Sequence, residues 1–406
     1  MPVHVALFLD ALSQLANAAA DLTIWPILAS LPWIALPFVV AARLRDSRTL
    51  DGESGDVPPA APLISVIIPA RNESRNIVRC LNSVLGSAYR AIEVIVVDDR
   101  SEDDTAALAR AIAERDPRVR VIQTPTLQEG WFGKQWACEN GAMAASGSVL
   151  LFADADTAPG PELFARSVNA MFARQLDFLS VFGRQELRGF WERVVQPHIF
   201  MMFAIRFGGT GEVNRSKRVA DKIANGQCIF VTRAAYEAVG RHASVKMRPA
   251  EDIALAQRAF TLGLNTEMII GMDYLSTRMY GSLREIVDGW TKNLWTAAPE
   301  AMPGGRLGRL LIPLLLPLPA LMGLVPPIIL LAQFVVPLAS NLVAWAALAS
   351  LAMLTFWALA YAALAGYSPL YAFAFPLGAG VELYIVLRAM LRGRRVEWKG
   401  RSYITR

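Results

Sequence analysis

The sequence is short of charge. Only 18% of its 406 residues are Asp, Glu, Lys or Arg, where soluble domains carry about 25%. Between Leu310 and Val381 there is no charged residue and no histidine. That stretch excludes a wholly soluble chain and is long enough for about three membrane spans. Cysteine and histidine are scarce too, three of each. Cys80, Cys138 and Cys228 lack the spacing of a zinc site or a disulfide framework, and read as reduced thiols of a cytoplasmic domain. His4, His198 and His242 are scattered, so no histidine-based metal site is expected. Also missing is a glycine-rich turn after the first β-type run. "PARNES" has no glycine, and "GWFGKQW" lacks Walker A spacing. Two common backbone devices for gripping a phosphate chain are thereby excluded.

What is present divides the chain. Residues 24–42, "IWPILASLPWIALPFVVAA", form an uncharged run of spanning length. It starts late, contains Pro26, Pro32 and Pro37, and has no clear small-residue cleavage site, so it reads as an anchor rather than a cleaved leader. The expected parts are 1–43, an N-terminal amphipathic segment and anchor; 44–61, a polar linker; 62–300, one α/β domain; 301–391, transmembrane helices; and 392–406, a basic tail. Arg43, Arg45 and Arg48 follow the first span, and Arg306 and Arg309 precede the second apolar region. Arg392, Arg394, Arg395, Lys399, Arg401 and Arg406 follow the last. Positive loops face the cytoplasm, which places both the domain and the tail on the cytoplasmic side of the cell membrane. The tail's partner is then anionic lipid, not nucleic acid.

That placement requires an even number of crossings, whereas three apolar blocks are visible, 310–337, 341–365 and 369–391. A broken hairpin over the first, with Pro313, Pro317, Pro319, Pro326 and Pro327, would restore the parity. Two helices are expected at the bilayer surface. One is 188–207, with Arg188, Arg193 and Arg206; the other is 283–295, with Leu283, Ile286, Val287, Trp290 and Leu294 on one face. Glu382, inside the last block, reads as an acceptor contact or a paired charge.

Within 62–300, β-branched runs alternate with helical periodicity. "LISVIIP", "IEVIVV", "VRVIQT" and "SVLLFAD" read as strands, with helices following the first three. Such alternation predicts a mostly parallel, Rossmann-like sheet. Ligands bind beyond the carboxyl ends of such strands. There the sequence puts Pro69-Ala70-Arg71-Asn72-Glu73, then Asp98-Asp99, then Asp154-Ala155-Asp156. Two carboxylates one residue apart suit a hard divalent cation that bridges to a diphosphate. Glu251-Asp252 opens a further helical stretch.

Taken together, "SVIIPARNES", "VVDDRSEDDT", "FADADT" and "AEDIALAQRA" resemble the successive motifs of inverting family 2 glycosyltransferases of GT-A fold. "GWFGKQWAC", "ANGQCIFVTRAAYEAVG", "RMYGSLREIVDGWTKNLW" and "VEWKGRSY" are similar to its membrane-bound branch. That branch contains chlorobactene (carotenoid), hopene-associated and ceramide glycosyltransferases. The resemblance implies a role for each matching position. Pro69, Arg71, Glu73 and Asp99 would line the nucleoside pocket, with Asp98 behind them. Lys134 would reach the base or the diphosphate. Asp156 and Asp154 would bind Mg2+ or Mn2+, with Asp156 the direct ligand and Asp154 shaping the site and touching the donor. Asp252, next to Glu251, would be the general base. Asn225, Gly226 and Gln227 would border acceptor and donor sugar, with Trp290, Lys292 and Trp295 on the acceptor side. The Gln-X-X-Arg-Trp motif of many relatives is incomplete here. Trp295 fits it, its arginine is absent, and Lys292 is the nearest cation.

The implied activity is transfer of a hexose, with uridine-diphosphate glucose as the default donor, to the hydroxyl of a membrane lipid. A polyprenyl-phosphate acceptor is the alternative, since Arg188 and Arg193 could meet a phosphate. A processive polysaccharide synthase is a further one, which the charge-free 310–381 block disfavours. A non-catalytic sensor of nucleotide sugars would not need Asp252.

Overall fold

The computed structural model describes residues 23–301, 305–392, 395–398 and 401–404. Side chains at 295–297, 299–301, 305, 306, 309, 364, 365 and from 392 onward fall outside that description. The N-terminal amphipathic segment, the Trp295 side chain and the side chains of the basic tail are therefore outside the described residues. The chain divides into two compact units, one of 44–189, 206–312 and 388–406, the other of 1–43, 190–205 and 313–387.

The first unit holds the sheet. β1 (Ile64–Ala70), β2 (Ile92–Asp98), β3 (Val119–Gln123) and β4 (Val149–Ala153) fall where the β-branched runs predict them. With β6 (Phe178–Phe182), β8 (Cys228–Thr232) and β9 (Thr266–Ile270) they form one sheet in the order β3-β2-β1-β4-β8-β6-β9. Every pairing is parallel except those of β8, which is antiparallel to both neighbours. Alternate residues feed two cores. Val66, Ile68, Val94, Val96 and Leu151 pack on one face, and Ile67, Ile95, Val97, Leu150 and Phe152 on the other. Burial on both faces is why these strands read as continuous apolar runs. Register aligns the strand ends, with Ala70 opposite Asp98 and Asp98 opposite Gln123. A second sheet of three short strands, β5 (Thr157–Pro159), β10 (Leu275–Thr277) and β7 (Arg184–Gln185), begins one residue after Asp156. The three cysteines are buried and free, as the sequence suggests.

The second unit is helical. Among the described residues four helices are long and apolar enough to cross a membrane: Trp25–Leu44, Leu310–Ala332, Ser340–Ala363 and Pro369–Leu391. The proline-rich first block is thus one apolar run, with a turn at 316–317 between Gly305–Leu315 and Leu318–Ala332. A hairpin there does not supply the missing crossing. Helix Phe190–Phe207 joins this unit over 190–205, with Glu192, Val194, Val195, Gln196, His198 and Ile199 all buried. Glu382 is a paired group: its Oε2 lies 3.5 Å from His198 Nδ1. The His198 ring stacks on Trp357 with centroids 3.9 Å apart. Gly378, one turn before Glu382, lets the helices come this close. A Cβ there would sit 2.5 Å from His198 Nε2 and 2.6 Å from the Val194 carbonyl oxygen. That carbonyl belongs to a helix backbone and cannot step aside. Gly378→Ala should therefore destabilise this unit by about 1–3 kcal/mol, seen as a lower thermal midpoint in detergent.

Candidate active site

The loops after β1 and β2 are stitched to each other. Arg71 is buried, and its Nη1 donates to the carbonyls of Asp99 (2.7 Å) and Arg100 (3.0 Å). Asn72 and Arg100 both take positive φ, 52° and 55°. Left-handed turns of this kind are tolerated by Asn and costly for Arg. Cross-bonds hold them there. Asn72 N–H donates to Ser101 Oγ (3.1 Å), Glu102 N–H to Asn72 Oδ1 (2.8 Å), and Glu73 N–H to Thr105 Oγ1 (2.7 Å). Asp98 accepts from Ser101 N–H (3.1 Å) and so supports the loop from below. Asp99 accepts from the Thr124 hydroxyl (3.1 Å). Arg71, Glu73 and Asp99 thus cluster just beyond β1 and β2, next to Pro69 and Asp98 in the last residues of those strands.

A second cluster forms beyond β4. Asp154 follows the last strand residue, and its N–H donates to the Gln227 carbonyl (3.3 Å). Its own carbonyl accepts from Thr157 N–H (3.1 Å) and from the Thr157 hydroxyl (2.7 Å). The chain therefore turns at once into β5. Lys134, from helix Gly133–Ala144, sits between Asp154 (2.8 Å) and Glu251 (2.9 Å). The sequence left its target open between base and diphosphate; here it ties two of the acidic motifs together. Asp252, in the first turn of helix Glu251–Thr261, accepts from Ile253 N–H (2.8 Å) and Gly226 N–H (2.9 Å). Carboxylates are favoured at a helix N-terminus. Only glycine fits at 226, since a Cβ would meet Asp252 Oδ2 at 2.9 Å and Lys134 Nζ at 3.3 Å.

Five carboxyl groups and one ammonium set the electrostatics. Burial works against the Lys134 charge, but Asp154 and Glu251 hold its ammonium well above an ordinary lysine. Burial works to raise Glu251, and Lys134 more than offsets it, leaving Glu251 below its usual value. Asp154 is raised by burial despite Lys134. Burial and then the Glu251 charge push Asp252 up to about 6. Burial and then the charges of Asp154 and Glu73 push Asp156 up to about 8. Asp156 Oδ1 is buried with no hydrogen-bond partner. Among the described residues no three Asp, Glu, His or Cys side chains gather as a ready metal cage.

Trp290 is buried on helix Leu283–Ala301, together with Ile286, Val287 and Leu294 from the face read in the sequence. It meets Tyr280 edge-on, with centroids 6.2 Å apart. Sequence reasoning missed Tyr280, whose phenol is raised by burial and then by Asp156. It also missed Gln185, which donates to Gln227 Oε1 (3.2 Å). Tyr280 lies inside the motif "RMYGSLREIVDGWTKNLW", which gave it no role of its own, and Gln185 lies in a strand of two residues, too short for a periodic signal. Lys292 is half-buried on the same helix as Trp290.

Comparison with known proteins follows the same lines. Residues 65–240 match the family described as "Glycosyl transferase family 2". A 4,4'-diaponeurosporenoate glycosyltransferase of Staphylococcus haemolyticus is 29% identical over 245 residues, 59% of this chain and 63% of the relative. Its namesake in Staphylococcus aureus is 27% identical over 254 residues, with the same shares. The chain thus spans about 63% of the length of the curated relatives it matches. A solved mannosyltransferase from Pyrobaculum calidifontis, in complex with GDP-Man and Mn2+, covers 91% of this chain and 97% of its own. It superposes with a TM-score of 0.55 at 19% identity, a likeness of fold.

Proposed function

We propose, from a chain that carries a family 2 glycosyl transferase segment over residues 65–240, that the protein is an inverting, membrane-bound hexosyltransferase. It takes glucose from uridine-diphosphate glucose and delivers it to the hydroxyl of a membrane lipid of carotenoid type, with the catalytic unit on the cytoplasmic side. The observation that carries the reading is the seat of Asp252. Its carboxylate is fixed by Gly226 N–H, beside the Lys134 ammonium that also contacts Asp154 and Glu251. A carboxylate pushed up to about 6 is a competent base near neutral pH. The acceptor class rests on the likeness to the two staphylococcal diaponeurosporenoate glycosyltransferases and on the four apolar helices.

Residues present fit a divalent cation, Mg2+ or Mn2+. Asp156 Oδ1 is a buried oxygen without a partner, on a carboxyl group that its neighbours repel. Asp156 would hold the ion. Bound there, the ion supplies positive charge for the leaving diphosphate. The chain does the rest. Asp252 accepts the proton of the acceptor hydroxyl as it attacks, and one displacement inverts the anomeric carbon. Lys134 keeps Glu251 ionised and moderates the repulsion on Asp252. For the polyprenyl-phosphate alternative, the two cations named for it have partners: Arg188 donates to Glu186 (2.7 Å) and Arg193 to the Tyr371 hydroxyl (2.9 Å).

Mass spectrometry of lipids from membranes with and without the protein tests the reading. A lipid that gains one hexose is expected; unchanged lipid profiles would sink it. A pH profile gives a second check. Asp252 works only as the anion, so turnover should fall as pH drops through about 6.

A further inference from the structure

Beside the charged line from Asp154 to Glu251 lies a neutral one. The Gln227 side-chain oxygen accepts from Asn225 Nδ2 (3.1 Å) and from Gln185 Nε2 (3.2 Å). Two donors fix which end of that amide is oxygen, and turn its Nε2 hydrogens away from both. Gln185 Oε1 is buried with no hydrogen-bond partner. So is the Thr277 hydroxyl, fully buried and paired with Gln185 in the β7–β10 ladder. Buried acceptors left unmet cost about 1–3 kcal/mol each, and two neighbouring ones point to a group that arrives later.

The backbone says where. Gln227 is bonded to Asp154 through its carbonyl, and its neighbour Gly226 holds Asp252. Thr277 pairs with Thr157, the residue after Asp156. The amide line thus runs between the Asp-X-Asp turn and the proposed base, where the transferred sugar must lie.

We propose that Gln185 and Gln227 form a specificity site for one hydroxyl of the donor hexose. The hydroxyl donates to Gln185 Oε1 and accepts from Gln227 Nε2. That combination selects chemistry. A hydroxyl both gives and takes a hydrogen bond, whereas a deoxy carbon does neither and leaves Gln185 Oε1 unmet. The site rests on the glycosyltransferase reading above and adds to it the two residues that read the sugar.

The test titrates the full-length, detergent-solubilised protein with UDP, UDP-glucose and its 3-, 4- and 6-deoxy forms, all with Mn2+. Binding needs no acceptor. The wild type should prefer UDP-glucose over one deoxy form by about 10- to 100-fold. Gln185→Met keeps the volume and removes the polar end. It should erase that one preference while leaving UDP affinity unchanged. A variant that still discriminates, or that loses UDP and UDP-glucose affinity alike, overturns the proposal. A wild type that binds UDP but ranks all the sugars equally overturns it too and leaves the glycosyltransferase reading standing. One that binds neither UDP nor UDP-glucose removes both.

Discussion

Asp252→Asn is expected to lower hexose transfer about 1,000-fold while nucleotide diphosphate binding stays at the wild-type level. The carboxylate has two structural duties besides its proposed chemistry. Oδ1 accepts from Ile253 N–H and Oδ2 from Gly226 N–H. Asparagine keeps one acceptor and turns the other into a donor. The 226 loop or the helix start loses one bond, and the fold keeps its core. What asparagine cannot do is take the acceptor's proton. The cluster of Arg71, Asp98 and Asp99, proposed for the nucleoside, is built on other elements and is untouched. Transfer measured with radiolabelled UDP-glucose in membranes, beside UDP titration of the same preparation, separates the two effects. Turnover within about tenfold of wild type would remove Asp252 as the base.

Asp156→Asn should move activity and stability in opposite directions. Transfer should fall about 100- to 1,000-fold, the scale of losing one charge-stabilising group, and Mn2+ should no longer strengthen UDP binding. With metal chelated, the same variant should melt higher than wild type. The sign follows from the raised carboxyl. A folded-state value of about 8, against an ordinary 3.8, means that the folded chain holds this proton better than the unfolded chain does. Stability is therefore lost as pH rises between those values. Asparagine carries no charge at any pH and escapes that loss. Melting curves at pH 5 and pH 8 in chelator should differ less for the variant than for wild type. An equal pH dependence in both would mean that Asp156 is not under this strain. Sites tuned for function commonly trade stability in this way.

The strand-end sites were legible because the strands are. β1, β2 and β4 are short β-branched runs buried on both faces, and parallel register then places Asp98 and Asp154 at the same edge. β8 was quoted as a motif and not read as a strand. Its antiparallel insertion between β4 and β6 depends on long-range pairing that local pattern does not encode. The small sheet has strands of two or three residues, below any periodicity. Gln185 and Thr277, in those strands, therefore have no signal. Lys134 was read as a cation in the site, but its ion pair with Glu251 joins residues 117 apart in the numbering. The parity of the C-terminal blocks was a conflict in the sequence, and the continuous apolar run Leu310–Ala332 leaves the hairpin solution unsupported. Glu382 could be recognised as needing a partner; that the partner is His198 could not.

That last pair also orders events during synthesis. The helical unit is assembled from 1–43, 190–205 and 313–387. His198 leaves the ribosome while Glu382, Gly378 and Trp357 are still untranslated. Its polar ring must wait, shielded by water, headgroups or an insertion chaperone, until the final helix arrives. The unit cannot close before then, so a chain stopped short of Pro369–Leu391 should be recognised as unfinished and degraded rather than accumulate as a shorter enzyme.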